Sequence, residues 1–361
     1  MKPCIIETHY HSELINTLIQ IYPKSDVYTI KSVYDDLPDS AKSLVNTFFF
    51  VGSRSKKSFI DSIPTQDYDL CFVNTIQETM LDLKNWKNFK PKCKSVLTLH
   101  NLNAWYMNSL FPQPRLNLIH SVDSWWSQKH LSDILSRFDY LSVCYEPMLQ
   151  CAETYFKQPV LFIPFALAQD SVIPESHDDI WFTIPGTVSH KRRNYLPVID
   201  TFNKLLLEFP NIRLYLLGKN EDNIEFTVLP ETEDRIVTFS SSVPRVQYDQ
   251  ILRDSDFVII PSIEWCNTIN VTDEHYGYTK SPNIHEAIKW RKPFIVPSTL
   301  PVPDKLKTSC LTYKDQDELY NHFCRLLSSG AEKNLLRNRA LKNTEGYVLK
   351  KTQNRLVKQL N

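Results

Sequence analysis

The chain has 361 residues, and its 41 Lys and Arg balance 41 Asp and Glu, so the formal net charge is zero. This balance gives no support for nucleic-acid binding, which needs a basic surface. No apolar run approaches the ~20 residues that span a bilayer, and the N-terminus lacks the apolar core of a signal peptide. Eight scattered cysteines without a Cys-x-x-Cys pair indicate reduced thiols, no zinc site and a cytoplasmic protein.

The first half alternates short strand-like runs with helical patterns, which pass through Leu14, Leu83 and Leu135. Such alternation is typical of a parallel sheet with helices on both faces, and ligands bind at the carboxyl ends of its strands. The predicted strands are 3–7, 26–30, 47–51, 69–73, 95–99, 140–144 and 160–163.

The strand ends supply candidate cleft residues, namely Asn74, His100 and the segment His9–His11. His100 is the strongest of these because it directly follows a five-residue strand. For any single histidine, a hydrogen-bonded structural role stays the alternative.

Residues 164–180 are polar, contain proline and show no periodicity, so we predict an interdomain linker. A second α/β alternation follows it, and the 361 residues are enough for two domains. The predicted strands are 180–184, 212–217, 235–239, 257–260 and 294–296, and the predicted helices are 194–209, 245–253, 315–327 and 331–360.

Glycine is scarce: the chain has 6, where average usage predicts about 25. We therefore expect glycine mainly where no other residue fits. Gly186, Gly218 and Gly277 follow strand-like runs or open a loop, and all three lie in the second half.

The stretch from Tyr276 to Pro297 reads as a loop, a short helix and a buried strand. Gly277 permits a tight turn, and Thr279, Lys280 and Ser281 lead into a helix whose first turn accepts Pro282. Hydroxyls, a lysine and a helix N-terminus together make a phosphate site. Glu286, one turn later, is placed to accept a hydrogen bond from a sugar hydroxyl. A capped surface helix is the alternative.

The basic cluster Lys191–Arg193 precedes the helix predicted at 194–209. Cations at a helix start oppose the helix dipole, which indicates an anion nearby. If the loops at Gly186 and Gly277 lie at the same sheet edge, one diphosphate is surrounded by Arg192, Arg193 and Lys280. The guanidinium group of an arginine can bind two diphosphate oxygens at once. A solvated helix start is the alternative.

These segments resemble the GT-B glycosyltransferases, most closely the retaining, nucleotide-sugar-dependent group called family 4-like. The resemblance is clearest over about 180–300. It is carried by 184–187 with 191–193, by 214–218, by 243–262, by 276–297 and, in the first half, by 98–101.

The resemblance implies an α/β fold of two Rossmann-like domains facing each other across a cleft. The implied parts are an acceptor-side domain at 1–168, a donor domain at 169–340 and a C-terminal helix at 341–361 that packs back on the first domain. It implies sugar transfer from a UDP- or GDP-linked sugar to a glycan, glycolipid or protein hydroxyl, without a metal or other cofactor. Peripheral membrane association is compatible with this.

The resemblance also implies residue roles. The catalytic residues would be His100, Arg192 and Lys280. The donor-binding residues would be Gly186, Thr187, Arg193, Gly218, Val243, Pro244, Gly277, Tyr278, Thr279, Ser281 and Glu286, with Glu286 on the ribose. The acceptor-binding residues would be His9, His11, Asn74 and Asn101.

Two departures of this sequence from the family pattern keep other functions open. The family's glutamate eight residues before Glu286 is replaced by Tyr278, so Asp273, Glu274 or no residue takes that role. The first strand also lacks the family's glycine-rich turn. A catalytically silent nucleotide-sugar-binding scaffold and a sugar-nucleotide epimerase of the same fold are the alternatives.

Overall fold

The computed structural model describes residues 1–77, 79–106, 130–170, 175, 177–226, 234–266, 274–275, 277–278 and 282–360. Its two main sheets contain seven and six strands, and every strand pair within them is parallel. The predicted α/β class with two Rossmann-like domains is therefore confirmed.

The first domain carries the seven-stranded sheet in the order β3-β2-β1-β4-β5-β6-β7. Its strands are β1 Pro3–Glu7, β2 Asp26–Thr29, β3 Thr47–Phe50, β4 Leu70–Val73, β5 Lys94–Thr98, β6 Tyr140–Val143 and β7 Val160–Phe162. Its helices are α1 Ser12–Ile21, α2 Lys31–Asp36, α3 Asp39–Lys42, α4 Lys56–Asp61, α5 Met80–Trp86, α6 Leu102–Tyr106 and α7 Pro147–Tyr155, with a 3-10 turn at Thr65–Asp67 and helical residues at 130–135.

The second domain carries the six-stranded sheet in the order β10-β9-β8-β11-β14-β15, and β12 and β13 form a separate antiparallel pair. Its strands are β8 Ile180–Pro185, β9 Ile212–Lys219, β10 Ile236–Phe239, β11 Phe257–Ile259, β12 Trp265–Cys266, β13 Glu274–His275, β14 Phe294–Pro297 and β15 Cys310–Tyr313. Its helices are α8 Leu196–Glu208, α9 Arg245–Asp254, α10 His285–Lys289, α11 Gln316–Ser328 and α12 Gly330–Asn343, with 3-10 turns at Asp304–Ser309 and Thr344–Tyr347.

The central strands β1 and β4 are buried along their whole length because helices cover both sheet faces. All five residues of β1 and all four of β4 are buried. Ile5 and Val27 face a core shared with α1, whereas Cys4 and Ile6 face the opposite core. The polar ends of these strands therefore emerge together at one edge of the sheet.

The final helix, α13 Leu349–Leu360, returns to the first domain, as the resemblance implies. Its Leu356 and Leu360 are fully buried in the core that also contains residues of α1. The Gln353 amide donates to the Ile21 carbonyl at 2.8 Å. The domain boundaries at 168 and 340 stay predictions.

Three helix predictions need correction. The helix predicted from 194 begins at Leu196, and the helix predicted to include Pro282 begins at His285. The helix predicted over 331–360 is two helices joined by the turn Thr344–Tyr347. This break has a physical cause: the buried Arg291 donates to the Leu341 carbonyl, to Thr344 and to Glu345, so its guanidinium binds the end of α12.

No helix within the described residues is long and apolar enough to cross a membrane. The seven cysteines whose side chains are described are free thiols.

Candidate functional site

The carboxyl edge of the second sheet is shaped by close backbone approach. Gly186 directly follows β8 with φ +88°, a conformation that favours glycine. A Cβ added to Gly218 in β9 would lie 2.5 Å from the Gly186 carbonyl carbon and 2.8 Å from the Thr187 nitrogen. The loop after β8 can therefore approach β9 this closely only because position 218 is glycine, whereas the positive φ favours glycine at position 186.

Arg193 is tied to the loop after Gly186. It is 8% exposed, and its Nη1 donates to the Thr187 carbonyl at 2.5 Å and to the Gly186 carbonyl at 3.2 Å. Arg192 is exposed on the same loop, and its carbonyl accepts from the Ile263 amide at 3.1 Å. Of the two arginines, Arg193 therefore orders the loop, and Arg192 presents its side chain to solvent.

The predicted phosphate loop lies only partly within the described residues. Thr279, Lys280, Ser281 and Asp273 lie outside them, so the meeting of Lys280 with the arginines is untested. The residues that follow do reach the glycine loop: the Asn283 amide donates to the Pro185 carbonyl at 3.1 Å across 98 positions.

The short helix α10 carries the carboxylate predicted for the ribose. Glu286 is 2% exposed, and its Oε1 accepts a hydrogen bond from the Tyr248 hydroxyl at 3.2 Å. Its Oε2 has no hydrogen-bond partner among the described residues. Leaving a buried carboxylate oxygen unpaired is costly, which marks it as a position for a ligand donor. Since α10 has five residues, its dipole contributes less to anion binding than the sequence predicts.

The remaining donor candidates lie around these residues. Thr187 is exposed next to Gly186, and Val243 and Pro244 directly precede α9, with Pro244 at its N-cap. Gly277 has φ +86°, and a Cβ there would lie 2.6 Å from Pro301 Cδ, so this loop packs closely on the segment after β14. Tyr278 is 42% exposed, so a side chain half open to solvent stands where the family has its first glutamate.

The carboxyl edge of the first sheet has a different chemistry. His100 follows β5, and its Nε2 lies 2.8 Å from the Asn74 carbonyl. Because a carbonyl only accepts, Nε2 carries the proton, and Nδ1 is left as an acceptor. Burial lowers the pKa of His100 to about 4, and burial together with neighbouring histidines lowers that of His11 to about 2. Both imidazoles are neutral at physiological pH, and their rings stack at 4.0 Å.

A buried carboxyl orders this edge. Glu7 is fully buried, accepts from Thr75 Oγ1 at 2.6 Å and accepts from the His9 amide at 2.7 Å. Burial raises the pKa of Glu7 to about 7, although these hydrogen bonds lower it in part. Thr75 Oγ1 also lies 3.3 Å from His100 Nε2. Glu7 therefore positions the loop after β1 and, through Thr75, the His100 ring.

Two of the other predicted acceptor-binding residues, His9 and Asn101, have side-chain hydrogen-bond partners within the protein, and Asn74 has none among the described residues. His9 Nε2 lies 3.0 Å from Asp82 and 2.6 Å from Lys56 Nζ, so an internal ion network holds it. Asn101 Oδ1 accepts from the Asn103 amide at 3.1 Å, which makes it a helix cap. Asn74 is fully buried, and neither polar atom of its side chain has a hydrogen-bond partner among the described residues. Asn74 is therefore the group at this edge most in need of a ligand or water.

The two edges face each other. Phe165, in the predicted linker, packs its ring 5.4 Å from His11 and 4.7 Å from His285 of α10. Arg245 at the start of α9 contacts Glu13 of α1 at 2.5 Å. A groove of about 980 Å³ lies between α7 and the segment 298–312, and Tyr278 lines it.

Within the described part of the chain, no three His, Cys, Asp or Glu side chains are arranged to hold a metal ion. Sequence reasoning missed the contacts made by Glu7, Thr75, Asn283 and Tyr248. The only signal for them was their position at or just after a strand end, or within one helical turn of a predicted site residue.

No protein-family model matches this chain, and no curated protein sequence matches it. Solved structures do match along its whole length. A UDP-forming alpha,alpha-trehalose-phosphate synthase from Burkholderia xenovorans superposes with TM-score 0.62 and 10% identity, covering 100% of this chain and 99% of its own. MnaA of S. aureus, in a co-structure with UDP, superposes with TM-score 0.57 and 13% identity. The match covers 99% of this chain and 95% of the MnaA chain.

The glycotransferase of kitacinnamycin gives TM-score 0.51 and 12% identity, covering 100% of this chain and 99% of its own. At these identities the likeness establishes the fold alone. The chain has the GT-B fold: two Rossmann-like domains with their strand ends facing one cleft.

Proposed function

We propose that this protein is a glycosyltransferase that moves a sugar from a nucleoside-diphosphate sugar to an acceptor hydroxyl. The observation that supports this most is the contact between Asn283 and Pro185, which joins the start of the predicted donor segment to the Gly186 loop. Arg192, next to that loop, and the unpaired oxygen of Glu286 then belong to one edge.

The proposed donor site divides the nucleotide between these groups. Arg192 and Lys280 neutralise the diphosphate, and Arg193 keeps the Gly186 loop open for it. Glu286 Oε2 accepts a ribose hydroxyl, since the Tyr248 hydroxyl occupies only Oε1. Of the solved neighbours named above, one is a UDP-forming synthase and another is a co-structure with UDP, which makes UDP the first nucleotide to test.

In this reaction the bond between the anomeric carbon and the diphosphate oxygen breaks, and the acceptor oxygen takes its place. The leaving diphosphate gains negative charge as the bond breaks. Basic groups fixed before the reaction stabilise that charge without further reorganisation. The acceptor oxygen gives its proton to the leaving diphosphate oxygen as the new bond forms, and the two substrates must lie within contact distance of each other.

We assign the acceptor to the first domain. There the neutral His100 and His11 and the unpaired Asn74 side chain offer hydrogen-bond acceptors and donors suited to hydroxyl groups. The groove beside Tyr278 is a route for a large glycan, glycolipid or protein acceptor to reach the donor loop. We further propose that the protein acts in the cytoplasm, with peripheral contact to a membrane when the acceptor is a lipid.

The test has two stages. UDP-sugars and GDP-sugars are screened by thermal stabilisation of the protein, and any binder is then incubated with an acceptor panel while free nucleoside diphosphate is measured. We expect stabilisation by one nucleotide series and acceptor-dependent release of the diphosphate. If no UDP-sugar or GDP-sugar stabilises the protein, the proposal is refuted.

A scaffold that binds nucleotide sugar without turnover is the second candidate. It is favoured by Tyr278, a half-exposed phenol at the position of the family's first glutamate. Binding without diphosphate release across the acceptor panel would identify this function. Epimerisation of the sugar nucleotide without any acceptor would identify the third alternative.

A further inference from the structure

Glu13 makes a contact between the domains that lies outside the proposed substrate site. It is in the first turn of α1, and its Oε1 contacts Arg245 Nη1 at 2.5 Å, although the two residues are 232 positions apart. The side chains of Glu13 and Arg245 are 27% and 41% exposed. A partly shielded arginine–carboxylate pair is stronger than an exposed one because water screens it less.

Arg245 also belongs to the donor side. It is the first residue of α9, where a cation opposes the helix dipole. Its guanidinium lies 5.6 Å from the centre of the Tyr248 ring, and the Tyr248 hydroxyl donates to Glu286. Burial by itself lowers the pKa of Arg245, but nearby carboxylates, Glu13 first and Glu286 among them, raise it. Arg245 therefore contacts Glu13 of the first domain and, through Nε at 3.0 Å, Asp249 of its own helix, and Glu286 lies near enough to raise its pKa further.

We propose that Glu13 is a positioning residue: by holding Arg245, and through it Tyr248 and Glu286, it couples contact between the two domains to nucleotide binding. This inference rests on the proposed function. Without Glu13, Asp249 and Glu286 of the second domain attract the guanidinium of Arg245, and Glu286 then has a competing partner when the ribose arrives. Since coupling between two equilibria is reciprocal, bound nucleotide strengthens the contact between the domains by the same factor.

The first experiment replaces Glu13 by Gln, which keeps its shape and removes its charge. The matched control is Glu332→Gln, because Glu332 forms an arginine pair with Arg325 on the surface of the second domain alone. We expect Glu13→Gln to weaken UDP binding and raise KM for the nucleotide sugar by about 5- to 10-fold, within the usual range of coupling energies. We expect kcat to change less than about twofold, and the control to match the unmodified protein.

The second experiment exchanges the charges in one double variant, Glu13→Arg with Arg245→Glu. The pair between the domains is restored, but a carboxylate now lies beside Glu286. We expect hydrogen exchange in 12–21 to return to the level of the unmodified protein, while UDP affinity stays low. Restoration of UDP affinity as well would mean that Arg245 acts only as a tether, and would overturn the inference.

The outcomes separate this inference from the proposed function. If the unmodified protein does not bind UDP, GDP or their sugars, both fail together. If it binds one of them and Glu13→Gln binds it equally well, only the inference is overturned. A fall in kcat with unchanged KM would also overturn it, because that result assigns Glu13 to the chemical step.

Discussion

The two sheet edges that face the cleft share one topology and differ in chemistry. The edge of the second domain gains its shape from backbone approach at Gly186 and Gly218 and carries the exposed Arg192. In the first domain, the corresponding strands β1 and β2 end without a glycine. That edge presents the neutral rings of His11 and His100. Strand ends therefore fix only where a ligand lies, whereas the residues after them decide which charge it carries.

The largest effect is expected when the carboxyl edge of the second sheet, here called the cationic edge, loses a positive charge. Arg192→Ala and Lys280→Ala should each lower turnover by about 10²-fold or more, the scale of losing one donor to the transition state. Steady-state rates at saturating nucleotide sugar measure this, with Lys204→Ala on the exposed face of α8 as the control. Near-normal turnover in both variants would show that Arg192 and Lys280 do not bind the diphosphate. The proposed difference in charge between the two sheet edges would then have no functional meaning.

On the first-domain edge, the sharpest prediction concerns the pH dependence of stability. The pKa of Glu7 is raised from 4.5 to about 7 by burial, so folding favours its protonated form. Its contribution to stability is complete below pH 4.5 and is lost as the pH rises through about 7. The loss amounts to about 3 kcal/mol, at 1.36 kcal/mol per pKa unit.

Denaturant titrations between pH 4.5 and 8 of the unmodified protein and of Glu7→Gln measure this contribution. We expect the free energy of unfolding of Glu7→Gln to depend less on pH than that of the unmodified protein. Parallel pH profiles would show that Glu7 ionises normally and would contradict the interpretation of this edge as neutral.

Gly186→Ala tests the shape of the cationic edge. A residue other than glycine at φ +88° costs about 1 to 3 kcal/mol, and its Cβ would lie 2.6 Å from Asn283 Nδ2. We expect loss of nucleotide binding together with a lower melting temperature. Gly330→Ala is the matched control, because no atom lies within 4 Å of its added Cβ, so we expect it to be neutral or slightly stabilising.

The smallest effect is expected at the ribose. Glu286→Gln keeps an oxygen for the Tyr248 hydroxyl but removes the charge that we propose accepts a ribose hydroxyl. We expect KM for the nucleotide sugar to rise by about tenfold, which corresponds to about 1.4 kcal/mol, with kcat little changed. Equal KM values for the two proteins would place the ribose elsewhere.

Much of the fold could be predicted because strand and helix patterns are local. The alternating apolar runs of β1, β4 and β5 predicted the first sheet, and the few glycines pointed to Gly186 and Gly218. The break at Thr344 could not be predicted, since it depends on Arg291, which lies 53 positions away in the chain.

The site was predicted less completely for the same reason. Glu286 was singled out from a segment pattern, but its partner Tyr248 lies 38 positions away on another helix. The role of Arg193 also differs from that of a simple anion ligand, because its Nη1 donates to two carbonyls of its own loop. Neutralisation of His11 depends on burial, which a local pattern does not reveal.

The measurement that tests the central claim most directly is calorimetric titration with UDP and uridine, and with GDP and guanosine, of the unmodified protein and of Arg192→Ala. One diphosphate should bind about 10- to 100-fold more tightly than its nucleoside, the range of one charge-assisted contact, and Arg192→Ala should remove most of that difference. Equal binding of nucleoside and diphosphate, or a difference that Arg192→Ala leaves intact, would contradict a diphosphate site at this edge.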